Sequence, residues 1–201
     1  MSNQTPSQTP ALAPQEKPNT HYISFSAEIN QTTSETLLGV CANCVVKQVE
    51  NVYLLLSTQG GSVTCGINLY NLLRGMPFHL TTHNAGNVDS IGNVIFLAGK
   101  DRYSCPNSTF MFHGVGFDIP SQMRFEEKNL RERLDSLKAD QSRIGKIIVE
   151  RTTLSTENVH QLFLEAVTRD PDYAKTHGII HEIRDVNIPR GASLTQLVFK
   201  R

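Results

Sequence analysis

Ser90 stands in the stretch NAGNVDSIG, just before the mostly apolar run NVIFL. A hydroxyl at that threshold has two uses. Serine is a preferred helix cap, and a serine with a base in reach is a nucleophile. Among seven histidines, His113 is the foremost base. It ends the apolar segment STFMFH and precedes Gly114 and Gly116, in a loop able to fold over a cleft. Two glycine-bearing turns, Gly60-Gly61 and the loop at 86–90, each follow an expected strand and open an expected helix. Glycine lets backbone approach a ligand closely and take positive φ. Helix N-termini present unpaired N–H groups with a partial positive charge. Two such turns side by side aim donors at one point, as holding an oxyanion requires. Where His113 meets Ser90, serine, histidine and paired donors together suit nucleophilic attack on a carbonyl; apart from it, Ser90 reads as a cap and His113 as a structural residue.

The elements that must position these residues alternate in kind. HYISFSAEI reads as a strand, and TTSETLLGVCANCVVKQV keeps helical spacing, with Thr33 or Ser34 as caps. VYLLLST is the continuous apolar run of a buried parallel strand. QGGSV leads into the periodic helix CGINLYNLLRG, closed by Gly75 and Pro77. FHLTTHNAG is a second strand and turn, and SIGNVIFLAG a short helix closed by Gly99. RYSCPNSTFMFHG gives two strands about a turn at Pro106-Asn107. This order predicts an α/β layered domain. From about 121 to 150 the chain reads as one long helix, with Leu130, Leu134, Leu137, Ile144 and Ile148 in an apolar stripe. Its charges face either solvent or a neighbouring subunit. TENVHQLFLEAV is a further helix, HGIIHEI a terminal turn and SLTQLVF a short strand.

Bulk properties remove several function classes. At 201 residues the chain buries a core without disulfides or metal. Nineteen basic and nineteen acidic residues cancel, so no general attraction to nucleic acid or anionic membrane follows. No apolar run reaches spanning length. The first twenty residues are rich in Pro, Gln, Thr and Ser and resemble no secretory signal. They read as a disordered arm over 1–20, ahead of one domain over 21–201. Four cysteines without an export signal suggest a reducing cytoplasm. Cys41 and Cys44 form a C-x2-C, but Cys65 and Cys105 are too isolated to complete a zinc site. The pair reads as buried and structural. Neither metal nor cofactor is expected.

Three stretches together resemble a known family. GGSVTCGINLYNLL, DSIGNVIFLAG and PNSTFMFHG, in that order, look like the proteolytic subunit of the Clp protease. Ser90 follows Gly60 by thirty residues, as the family's nucleophile follows its GGSVTAG-type turn. His113 falls on the family's base, with an interval two residues shorter. The amides of Gly61 and Ile91 fall on the oxyanion hole. The resemblance runs from about Ile23 to about Val186. It implies a ClpP/crotonase-like ββα spiral, with the long helix as the handle where two rings meet. It further implies a serine endopeptidase acting on peptides or unfolded proteins inside a homo-oligomeric ring. Two other readings are a non-catalytic assembly subunit and an acyl-CoA enzyme of the related crotonase superfamily.

The resemblance breaks in three places. The family's third catalytic residue, an aspartate, precedes the glycine of a terminal G-L-I-D-type motif by twelve positions. That glycine is Gly178 in GIIH, and twelve positions back stands Ala166. Glu165 by a one-residue shift, or Asp170 by another local path, are the candidate acids, and a Ser-His dyad is the third option. Asp89 replaces a small apolar residue before the nucleophile. It either opposes developing negative charge or braces the turn through hydrogen bonds. Finally, the family engages an AAA+ unfoldase through apolar-and-basic N-terminal segments, and MSNQTPSQTPALAPQ is unlike them.

Overall fold

The computed structural model describes residues 19–116, 124 and 126–199. All but the last two residues of the arm expected over 1–20 lie outside the described residues, as do 121–123 and 125 of the long helix.

A mixed sheet forms the middle of the molecule. Its strands are β1 (Thr20–Ser26), β2 (Asn51–Thr58), β3 (His79–Asp89), β4 (Asp101–Ser104), β5 (Thr109–Met111), β6 (Thr168–Arg169), β7 (Glu182–Ile183) and β8 (Ser193–Leu197). The order is β6-β5-β3-β2-β1-β8, with β4 pairing β3 and β7. Every pair is parallel except β5 with β6. The helices between parallel strands are α1 (Gln31–Val46), α2 (Val63–Gly75) and the five-residue α3 (Gly92–Phe96). The apolar run of β2 buries Val52, Leu54, Leu55 and Leu56, as a strand covered on both faces must.

Strand β3 is the hinge of this topology. Its first half, Thr81 to Asn84, pairs with β4, and its last three residues pair with β5. Against β2 the register jumps from Leu56↔Asn84 to Thr58↔Val88, so β3 carries two extra residues there. Asn84 fills the irregularity: its Oδ1 accepts from Gly86 N at 3.0 Å and its Nδ2 donates to Thr109 O at 2.8 Å. The turn expected over 86–90 is therefore strand as far as Asp89, with the reversal at Ser90 itself. Side-chain bonding by a buried asparagine replaced the ladder bonds that the glycine suggested would end.

Helix α1 starts one turn earlier than its hydroxyls suggested. Asn30 is the cap, and Thr33 is its N3 partner in a reciprocal capping box. Both Cys41 and Cys44 are buried, and burial pushes the Cys41 thiol up to about 12. Among the described residues no group of three or more His, Cys, Asp or Glu could hold a metal. No described helix is long and apolar enough to cross a membrane.

The long helix is α4 (Glu127–Arg151), followed by α5 (Thr156–Glu165) and α6 (Pro171–Thr176). Only the C-terminal part of the α4 stripe is core: Ile144 and Ile148 are buried, whereas Leu130 and Leu134 are 50% and 48% exposed. The periodicity was real, but the domain is too short to cover 25 residues of helix. Two arginines fasten this layer to the sheet. Arg102, 5% exposed, donates to the carbonyls of Gly99, Arg151, Gly178 and Ile179. Arg151 donates to those of Leu97 and Gly99.

Candidate active site

Ser90 occupies the sharp junction between β3 and α3, at φ +56. A non-glycine residue there is strained, and such strain gathers at functional turns. The surroundings over-determine it. Ser90 N donates to Met111 O at 2.9 Å, joining the junction to the end of β5. Asn93, 1% exposed, donates from Nδ2 to Ser90 O and to Met111 O at 3.1 and 2.8 Å. That one amide ties the serine to the strand that carries His113 two residues further on. Sequence reading missed Asn93, although a polar residue inside the buried run SIGNVIFLAG was its signal.

The other turn is pinned independently. Ile29 N donates to Gly60 O at 2.8 Å and Ser62 N to Ile29 O at 2.7 Å, while Gly60 N donates to Thr58 Oγ1. Gly60 and Gly61 have φ of +90 and +143, open only to glycine at low cost. The two turns are in van der Waals contact: a Cβ on Gly60 would stand 2.6 Å from Ser90 Cβ. Ser62 caps α2 from the far side of the turn. None of these bonds uses the Gly61 or Ile91 amide.

One cavity of about 230 Å³ brings Ser90, His113, Gly61 and Ile91 together. Phe112, Ile144, Ile148 and Phe163 supply its apolar wall. His113 lies past the end of β5 and is exposed, and its imidazole has no hydrogen-bond partner among the described residues. Asp89 is engaged along its own strand, accepting from Asn87 Nδ2 at 2.6 Å, and Asn87 also donates to Thr58 O. Of its two readings, the geometry supports the bracing one.

The candidate acids have other partners. Glu165 accepts from Gln161 through Oε1 and pairs with Arg169 through Oε2, at 2.9 and 2.7 Å. Asp170 caps α6, accepting from Tyr173 N at 2.8 Å. The Asp170-Pro171 pair is a cap followed by a proline in the first helical turn, a signal that sequence reading passed over. Ala166 ends α5 in the left-handed conformation at φ +51. Strands β5 and β6 pair Phe110 with Arg169 and Met111 with Thr168. Two residues beyond that pairing stand His113 on one side and Ala166 on the other.

The family model described as Clp protease matches residues 17–187. Among solved structures, a ClpP1 mutant from Listeria monocytogenes aligns with a TM-score of 0.71 at 22% identity. The alignment covers 84% of this chain and 92% of that one, and carries the likeness of fold. Strand β8 lies beyond the span of the family match. With 171 of its 201 residues inside that span, this chain belongs to the Clp protease family.

Proposed function

We propose that the protein is a ClpP-type serine endopeptidase that hydrolyses peptides or unfolded proteins through an acyl-enzyme on Ser90. The observation that carries this reading is the single cavity shared by Ser90, His113 and the backbone of Gly61 and Ile91. Ser90 Oγ attacks the peptide carbonyl carbon while His113 takes its proton. The carbonyl oxygen, now anionic, is held by the Gly61 and Ile91 amides. His113 returns the proton to the departing amine, leaving an ester on Ser90. Water then attacks that ester with His113 again as base, releasing the acid and restoring the serine.

With Glu165 and Asp170 engaged elsewhere and an alanine at 166, the reading takes the form of a dyad. The oxyanion contribution survives without an acid, so such an enzyme is slow and not inert. Ring assembly belongs to the same proposal. The leucines exposed on α4, Leu130 and Leu134, support a contact with other subunits there.

One observation favours a second reading. Ala166 is what a subunit kept only for assembly would tolerate. Labelling by a fluorophosphonate separates the two. Reaction of the wild type at Ser90, lost in Ser90→Ala, supports the peptidase. Absence of labelling in a verified oligomer across neutral pH gives the assembly subunit.

A further inference from the structure

We propose that Phe163 determines specificity at this site. Its ring closes the Ser90 cavity against the groove between α4 and α5, and so limits the side chain admitted on the acyl side of the scissile bond. That side chain is apolar and of moderate size, such as Leu. The inference rests on the peptidase reading and adds to it the class of substrate.

Chemical character follows from the lining. Val63, Ile91, Phe112, Ile144, Ile148 and Phe163 face the cavity, and His113 is the one titratable side chain among the described residues that line it. A charged substrate side chain would have no ion-pair partner there, and burying one unpaired is costly. An apolar side chain gains by leaving water. The acyl residue stays bonded to Ser90 until water releases it, so its side chain occupies the cavity through both steps.

Size follows from volume. An apolar cavity of about 150 Å³ holds one benzene ring. The space here is about 230 Å³ and must also take the scissile peptide unit. What remains suits a branched aliphatic chain and excludes an indole.

Phe163 fixes that size. It is the one described residue that lines both this cavity and the larger groove of about 560 Å³ between α4 and α5, and it therefore stands between them. Three contacts hold it in place. Its neighbour Leu162 is buried, and its own carbonyl accepts from Gly114 N at 3.1 Å. Its Cε2 lies against α4 at Gly145, 3.9 Å from where a Cβ there would stand. Beyond the ring the groove changes character, with Lys138, Lys146, Glu150 and His160 along it. Removing the ring joins the two spaces.

The test uses the full-length oligomer and fluorogenic peptides that differ only in the residue before the cleaved bond: Ala, Leu, Trp or Glu. The wild type is expected to favour Leu over Trp and over Glu by about tenfold or more in kcat/KM. Phe163→Ala is expected to raise the Trp-to-Leu ratio by about tenfold or more, with fluorophosphonate labelling of Ser90 retained. Phe163→Trp is expected to crowd the cavity and raise the Ala-to-Leu ratio, and it decides the matter should the alanine variant fail to fold. An unchanged Trp-to-Leu ratio in folded Phe163→Ala overturns the proposal, as does an unchanged Ala-to-Leu ratio in Phe163→Trp. So does a wild type that labels yet does not favour Leu over Trp and Glu. A wild type that does not label overturns the peptidase reading, and this inference with it.

Discussion

Gly60 and Ser90 lie so close that a methyl group on the glycine would stand 2.6 Å from Ser90 Cβ and 2.9 Å from Asp89 O. Both contacts are shorter than packed carbon and oxygen atoms allow. The φ of +90 at Gly60 adds backbone strain to any side chain there. Gly60→Ala is therefore expected to displace Ser90 from the Gly61 amide. Peptide turnover should fall by about a hundredfold, the scale of a misplaced oxyanion donor. Paired kcat/KM and thermal melts check this, and unchanged turnover in a folded variant would contradict it.

Strands β5 and β6 pair as far as Met111 and Thr168, two residues short of His113 on one side and Ala166 on the other. Ala166→Asp should thus place a carboxylate beside the imidazole. Turnover is expected to rise by about tenfold or more, since the acid orients the ring and stabilises its charged form. A drop in kcat with an intact oligomer would show that the register does not continue to that pair.

Asp170 holds the first turn of α6, and Glu165 bridges Gln161 and Arg169. Asp170→Asn keeps a capping oxygen and is expected to leave turnover within a few-fold of wild type. Asp170→Ala should cost about 1 kcal/mol of stability, the usual worth of a cap. Glu165→Gln should change stability by less than about 1 kcal/mol, as partly exposed ion pairs do. Denaturant titration and steady-state rates measure all three. A collapse of kcat in either amide variant, with stability retained, would make that residue the acid.

His83 is wholly buried, its Nδ1 2.7 Å from Tyr53 OH and its Nε2 3.0 Å from Arg184 O. Facing a carbonyl, Nε2 must donate, so in the neutral ring Nδ1 is the nitrogen that accepts from Tyr53 OH. Burial holds its pKa below the ordinary imidazole value, and the Arg184 carbonyl partly opposes this. Burial depresses His21 and His181 in the same direction. The unfolded chain then binds more protons than the folded one below that ordinary value. Stability is full above it and falls as pH drops towards the folded values. Denaturation midpoints should decline between about pH 7.5 and about pH 5. His83→Phe should flatten the decline while lowering the neutral-pH midpoint.

Arg102 is bonded to four carbonyls in a nearly sealed site, where burial lowers its pKa to about 10. Arg102→Met fills much of the volume but leaves those oxygens without donors. A loss of about 3 kcal/mol is expected, seen as a fall of about 10 °C in Tm. A change of less than about 2 °C would mean that water replaces the guanidinium at little cost.

How much of this was legible depended on whether a feature was local. The buried run of β2 and the helix behind Ser62 were readable because periodicity and caps act within a few residues. Three spaced motifs placed Ser90 and His113, and the structure brings both to one cavity with Gly61 and Ile91. Asn30 was hidden behind Thr33 and Ser34, since all three residue types cap and only geometry chooses. The role of Asn93 was invisible because its acceptors, Ser90 O and Met111 O, come together only once β3 and β5 pair. Leu130 and Leu134 kept a core-like spacing on a part of α4 that has no core beneath it.

The four carbonyls around Arg102 also set an order of events during synthesis. Gly99 lies beside it in the chain, but Gly178 and Ile179 are made more than seventy residues later. Until they leave the ribosome, the Arg102 guanidinium has only part of its acceptor set. The nascent chain thus holds an unfinished polar centre beside β4 while residues 103 to 179 are added. Completion waits on the last quarter of the sequence. A ribosome-stalled chain ending before residue 178 should resist proteolysis in β1 to β3 far less than the released protein does.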